Sequence, residues 1–224
     1  MDVQFDIVSI GTLSRNRFWN EKAQKRAPHC TIVLVLDGDR TILVDPGLPA
    51  ELVKQRLDER TGLSPDDIDT VFLTCFRPTH RRGLALFERA AWFMHEPEVE
   101  GMGAHLAEIA GRPEADEPEV RRLIADERDL LARIQPAPER FTESVHLYPA
   151  PGVTPGTAGL LLASASKTTI IAGDAVVTRE YYEAGRVFDV AHDVELARTS
   201  LREISEIADE IVPGHDNTFR VYGR

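Results

Sequence analysis

The chain has 224 residues, with 26 lysines and arginines against 37 aspartates and glutamates, so its formal net charge is −11. This length fits one domain, or at most two small ones, with a sizeable core, and an apolar fraction of 42% excludes a disordered chain. The acidic balance argues against a nucleic-acid-binding protein, because phosphate backbones are bound by clustered lysine and arginine.

The two cysteines, Cys30 and Cys75, lack the paired spacing of a disulfide framework or a metal knuckle. No charged and then apolar leader opens the sequence, and no apolar run approaches the length of a membrane span. We therefore expect a cytoplasmic protein with neither a membrane nor a nucleic acid as partner. A homodimer is left open.

The first half of the chain alternates short apolar runs with turn residues. The runs predict strands at residues 3–10, 30–36, 41–44, 70–73 and 91–94. A helix is predicted over residues 49–60, with Leu52, Val53 and Leu57 on one face and Gly62 as its stop.

Residues 96–138 differ in composition, since glutamate and arginine dominate and apolar residues recur at helical spacing. They predict one or two helices that connect the two halves and cover one edge of a pocket. Strands then follow at residues 144–148, 159–163, 168–172 and 210–212, with an amphipathic helix at 194–207 that turns Leu201, Ile204 and Ile207 inward. This order predicts an α/β fold of two β layers with helices outside, in one domain over residues 1–224.

Five polar turns stand at the ends of predicted strands. They are Asp45-Pro46-Gly47, Thr74-Cys75-Phe76-Arg77-Pro78-Thr79-His80-Arg81-Arg82-Gly83, Pro151-Gly152-Val153-Thr154-Pro155-Gly156, Ala172-Gly173-Asp174 and Val212-Pro213-Gly214-His215. In order and spacing they resemble the motifs of the metallo-β-lactamase superfamily along nearly the whole chain. The resemblance implies a four-layer αββα sandwich, with a dinuclear zinc or iron site at the mouth between the sheets.

The departures from the family pattern are concentrated at one of the two metal positions. The first ion's three histidines fall on Cys75, Arg77 and Val153. Valine cannot ligate and arginine offers no lone pair, so the first ion is expected to be absent. The second ion's positions are Thr79, His80, His215 and the bridging Asp174, and of these the two histidines and the aspartate keep metal-ligand chemistry.

Three hypotheses follow for the function. In the first, His80, Asp174 and His215 hold one divalent metal, zinc or iron, and the protein hydrolyses a small ester, thioester or lactone, with Asp174 and His80 as catalytic residues. In the second, the protein is a pseudoenzyme that binds no metal. Arg77 pairs with Asp174, and a small anionic ligand or a protein partner occupies the cleft. In the third, which is less favoured, Cys75 is a nucleophile; a thiol at a strand end is more often a small buried apolar group.

Two plainer interpretations stand beside these hypotheses. His80 and His215, taken singly, read as turn histidines that backbone groups satisfy, and it is their order with Asp174 that favours a shared pocket. Asp45 is expected to support the site through hydrogen bonds of its turn and not through chemistry.

Overall fold

The first β sheet places two polar turns at one edge. The computed structural model describes residues 3–221, and the first sheet has the strand order β1-β2-β3-β4-β5-β6. Its strands are β1 (Gln4–Ser9), β2 (Ile32–Asp37), β3 (Arg40–Val44), β4 (Thr70–Leu73), β5 (Ala91–Met94) and β6 (Gln135–Pro136). β3 and β4 run parallel, so Asp45 and the turn that begins at Thr74 leave the sheet at the same edge.

The second sheet likewise brings together the turns that contain Asp174 and His215. Its order is β11-β10-β9-β8-β7, formed by β7 (Val145–Pro149), β8 (Ala158–Ala163), β9 (Thr168–Gly173), β10 (Glu210–Pro213) and β11 (Phe219–Arg220). β9 and β10 are its parallel pair, which brings Asp174 and His215 to one end.

Helices cover the outer faces of the two sheets and connect the strands. They are α1 (Ala50–Thr61), α2 (Pro78–Arg81), α3 (Glu96–Ala110), α4 (Pro118–Ala132), α5 (Arg179–Glu183) and α6 (Val194–Ile207). The predicted connecting segment is thus two helices, α3 and α4, separated by a short 3-10 turn.

Three apolar layers hold this arrangement together. Phe72 and Val35 of the first sheet pack against Leu160 and Val212 of the second. The first sheet's outer face packs on α1, and the second sheet's outer face packs on Leu201 and the rest of α6. Because β4 is buried on both faces, its last three residues are apolar without alternation. The layers form the αββα sandwich of the α/β class.

Two helix faces and one turn differ from the sequence expectations. Leu52 of α1 is 44% exposed and Ile207 of α6 is 37% exposed, so neither belongs to the inward face predicted for it. The polar turn after β4 contains the short helix α2, which begins at Pro78, a residue suited to a first helical turn. Within residues 3–221, no helix is long and apolar enough to cross a membrane.

Candidate metal centre

The ends of four strands bring the polar turns together between the two sheets. β9 approaches the end of β4 very closely: a Cβ on Gly173 would lie 2.3 Å from the Thr74 hydroxyl, and Gly173 has a φ of +52°. A Cβ on Gly214 would lie 3.0 Å from Oδ1 of Asp174. Glycine at these two positions lets Asp174 and His215 reach the turn after β4.

The Asp174 carboxylate is the centre of this cluster and is almost fully buried. Its Oδ2 accepts a hydrogen bond from Nη1 of Arg77 at 3.0 Å and lies 3.4 Å from Nε2 of His80. Its Oδ1 lies 3.0 Å from Nε2 of His215. The structure therefore brings both predicted histidines to one carboxylate, each on a different oxygen.

Hydrogen-bond partners at Nδ1 orient the His80 ring. Its Nδ1 lies 3.0 Å from Oδ2 of Asp45 and 3.1 Å from the Thr74 hydroxyl, so this nitrogen carries the proton. Its Nε2 points to Asp174 but is not aligned for a hydrogen bond. Within the described part of the chain, Nε2 of His80 is the buried side-chain polar atom that has no hydrogen-bond partner. Such an orphan fits an ion that is bound there.

His215 is oriented in the same way by backbone oxygens. Its Nδ1 faces the carbonyl oxygens of His29 at 2.9 Å and Thr12 at 3.2 Å, so it must be a donor. Nε2 lies within hydrogen-bond distance of Asp174 Oδ1, and as a metal ligand it would turn its lone pair to the ion instead. Protein acceptors that fix the Nδ1 proton and free Nε2 are the outer-shell contacts that orient histidine ligands of metals.

Asp45 follows β3, and its side chain joins the end of that strand to the end of β4 beside His80. It adopts a left-handed backbone conformation, with φ of +51°. Its carboxylate accepts hydrogen bonds from the Thr74 amide at 2.9 Å, from the Thr74 hydroxyl at 2.6 Å and from the Cys30 thiol at 3.3 Å. With His80 beside it, this buried carboxylate is fully satisfied.

The electrostatics of the cluster favour charged side chains despite their burial. Burial opposes the charged form of His80, but negative charge at Cys30 and Cys75, and then at Asp45 and Asp174, outweighs it and raises the pKa of the imidazole well above its usual value. Burial likewise opposes ionisation of Asp174, but His80 and His215 keep the pKa of that carboxyl well below its usual range. Burial raises the pKa of the Cys30 and Cys75 thiols.

The first ion's positions show a different environment. Val153 is buried in an apolar cluster that includes Val187 and Ala197. The Arg77 side chain, 30% exposed, pairs with Asp174 and lies with its Cζ 5.5 Å from the centre of the Phe188 ring. Cys75 is fully buried and is not in a disulfide. Thr79, at a position of the second ion, contributes its backbone oxygen, which accepts from the Cys30 amide at 2.9 Å.

The side chains that could share one ion form two overlapping sets. Within residues 3–221, the groups whose ligand atoms all lie within 4.8 Å of one another are Cys30, Asp45 and His80, and Cys75, His80 and Asp174. His215 is in neither set, although it touches Asp174, and its ring centre lies 6.3 Å from that of His80. The donor types fit a single ion beside Asp174, whereas Arg77 and Val153 do not fit a first ion.

A cleft of about 520 Å³ opens beside this cluster. It is bordered by Arg77, Phe76 and His192 and by one side of α3. Arg77 is the residue that both faces the cleft and contacts Asp174.

Glu98 of α3 is a site residue that the sequence interpretation missed, because it lies in a segment rich in exposed charges. The Glu98 carboxylate is buried and accepts hydrogen bonds from the Phe76 amide, the Thr154 hydroxyl and the Gly156 amide at 3.0, 2.6 and 3.1 Å. It ties α3 to two of the site turns. Its signal in the sequence is weak, since nothing distinguishes it from neighbouring glutamates.

Fold and site together define a class, the αββα proteins with a polar centre at the mouth between two sheets. Residues 26–215 match the model of the metallo-β-lactamase superfamily. The chain belongs to this superfamily, whose members generally bind zinc. No curated protein matches the chain.

Solved structures share the fold at low sequence identity. A putative metallo-β-lactamase from Thermotoga maritima has a TM-score of 0.71 and 21% identity, over 98% of this chain and 100% of its own. AidC, a dizinc quorum-quenching lactonase, has a TM-score of 0.66 and 18% identity, over 83% and 72% of the two chains. A probable metal-dependent hydrolase from Staphylococcus aureus has a TM-score of 0.67 and 15% identity, over 96% and 90%. These neighbours share the fold of the chain.

Proposed function

We propose that the protein is a hydrolase of a small ester, thioester or lactone that uses one divalent ion, zinc or iron, held by His80, Asp174 and His215. One observation carries the proposal. Two buried imidazoles, each with Nδ1 engaged by protein acceptors, direct Nε2 at the same carboxylate. This is how metal-binding histidines are oriented.

An ion at this place would supply Lewis-acid polarisation and a water molecule activated for attack at neutral pH. Asp174 suits the orientation of that water by a hydrogen bond. Its buried carboxylate is paired with the Arg77 guanidinium, which would favour holding the water over accepting its proton.

Arg77 would take over the charge of the missing first ion. Its guanidinium contacts Asp174 and borders the cleft, so a substrate carbonyl in the cleft would meet a fixed positive charge. Such a charge stabilises the oxyanion that develops when a carbonyl is attacked. Small esters, thioesters and lactones share this oxyanion, and they fit a cleft of about 520 Å³.

The proposal is tested with protein purified without a histidine tag and depleted of metal. Hydrolysis of a generic ester, thioester and lactone is measured before and after zinc or iron is restored. We expect activity that follows the metal, is lost with a chelator and is lost in the His80→Ala/His215→Ala double variant. His146→Ala is the matched control, because His146 contacts the Glu143 carbonyl away from the cluster. Activity that survives a chelator unchanged contradicts the proposal.

A second candidate function is binding of a small anion without metal. The observation that favours it is the Arg77–Asp174 ion pair, in which a guanidinium already balances the buried carboxylate. On this account the metal-depleted protein binds small carboxylates by calorimetry, and Arg77→Met abolishes the binding. A protein that binds zinc stoichiometrically and binds no anion without it excludes this candidate.

A further inference from the structure

Cys75 is a buried thiol with no role in the function proposed above. It has no exposed surface and forms no disulfide. Its sulfur, a ring nitrogen of His80 and a carboxylate oxygen of Asp174 all lie within 4.8 Å of one another. The thiol therefore lies beside the two groups between which the ion is placed.

The backbone on both sides of Cys75 is fixed. The Thr74 amide donates to Asp45, and the Thr74 carbonyl accepts from the Ala158 amide of the second sheet at 3.0 Å. On the other side, the Phe76 amide donates to the buried Glu98 carboxylate. Three anchors around one residue hold its side chain against His80 and Asp174, which is the support that a preorganised ligand needs.

The spacing fits a shared ion of ordinary bond lengths. Zinc bonds of about 2.0–2.2 Å to nitrogen and oxygen place two tetrahedral ligands about 3.4 Å apart. Nε2 of His80 and Oδ2 of Asp174 are 3.4 Å apart. The Cys75 sulfur lies within 4.8 Å of a ring nitrogen of His80 and of a carboxylate oxygen of Asp174, and its longer bond to zinc, about 2.3 Å, extends its reach.

The ion itself would stabilise a thiolate at this buried position, because a thiol that coordinates a divalent metal is deprotonated. The thiol proton passes to solvent as the sulfur–metal bond forms.

We propose that Cys75 is a thiolate ligand of the metal ion, together with His80 and Asp174, so that the site selects a thiophilic ion. His215, which lies outside this set of atoms, would then hold the Asp174 carboxylate and leave a position on the ion open for water. This inference rests on the proposed function, and it adds the preference expected of a sulfur ligand: zinc and its cobalt and cadmium substitutes over magnesium, calcium and manganese.

The test is a titration of the metal-depleted protein with Co²⁺, followed by absorbance. A sulfur ligand gives an intense near-ultraviolet charge-transfer band, while nitrogen and oxygen ligands give weak visible bands alone. We expect the intense band in the unaltered protein, its loss in Cys75→Ser and its retention in Cys30→Ser. Cys30 is the matched control, because it is an equally buried thiol near His80 that contacts Asp45 instead of Asp174.

X-ray absorption at the zinc edge tests the unaltered protein and needs no folded variant. We expect one sulfur scatterer at about 2.3 Å. Cobalt that binds without the intense band, or a zinc shell of nitrogen and oxygen alone, overturns the role of Cys75 and leaves the single-metal hydrolase standing. Loss of the band in Cys30→Ser but not in Cys75→Ser also overturns it. Failure of both ions to bind overturns this inference and the proposed function together.

Discussion

The two halves of the candidate centre differ in the side chains that they present. The positions that the family motifs assign to a first ion carry an arginine paired with Asp174 and a valine that lies in an apolar cluster. At the second ion's positions, His80 and His215 each have an acceptor behind Nδ1 and Asp174 in front. The comparison teaches that an apolar and cationic environment at the first set of positions is compatible with an ordered second set, because His80 and His215 are oriented by Asp45 and by backbone oxygens.

Asp174 is common to both halves, so its replacement has the largest expected effect. Asp174→Asn keeps the shape but removes the charge that Arg77, His80 and His215 face. We expect metal binding and hydrolysis to be lost and the free energy of unfolding to fall by about 3 kcal/mol, the cost of breaking a buried ion pair. Calorimetry with zinc and denaturant unfolding measure the two effects.

The control is Asp69→Asn, at the opposite end of β4, where the Asp69 carboxylate accepts from the Thr41 amide and hydroxyl. Its stability should fall while zinc affinity stays unchanged. Equal zinc affinity in Asp174→Asn and the unaltered protein would contradict the central place given to Asp174.

Asp45→Asn tests whether Asp45 orients His80 for metal binding. The amide cannot serve Thr74 and His80 as the carboxylate does, so His80 loses the acceptor that fixes its tautomer. We expect zinc affinity to fall by about 10- to 100-fold, the usual cost of an outer-shell change, while the stoichiometry stays at one ion. A variant that binds zinc as tightly as the unaltered protein would show that Asp45 serves the fold alone.

Placing metal ligands at the first ion's positions is expected to increase the number of zinc ions bound, with a smaller effect than the losses described above. The double variant Arg77→His/Val153→His places imidazoles at two of the first ion's positions. We expect zinc stoichiometry, measured by elemental analysis, to rise from one toward two, at a stability cost of about 1–3 kcal/mol for a larger side chain at position 153. The single variant Val153→His is the control and should stay at one ion.

The sequence predicted the layers of this fold better than the details of its centre. The consecutive apolar residues of β4 and the helical spacing of α6 are local patterns, and both elements appear where they were expected. Leu52 and Ile207 were assigned to the wrong faces, because helical spacing defines an apolar stripe but not its width.

Local sequence patterns could not predict contacts between distant segments. Glu98 resembles every other glutamate of its segment until α3 meets the turns of Phe76 and Gly156. The backbone oxygen of His29 behind His215 has no sequence signal at all. The prediction that His80, Asp174 and His215 act together came from the order of motifs, and their shared role in binding metal remains a prediction.

The most direct test of the account is anomalous scattering at the zinc edge from crystals of the protein grown with zinc. One ion at full occupancy, in contact with His80 and Asp174 and with no second ion beside Val153, is the predicted result. Zinc-free density with Arg77 still paired to Asp174, or two ions in the cleft, would contradict the claim that one half of the centre alone has kept its metal.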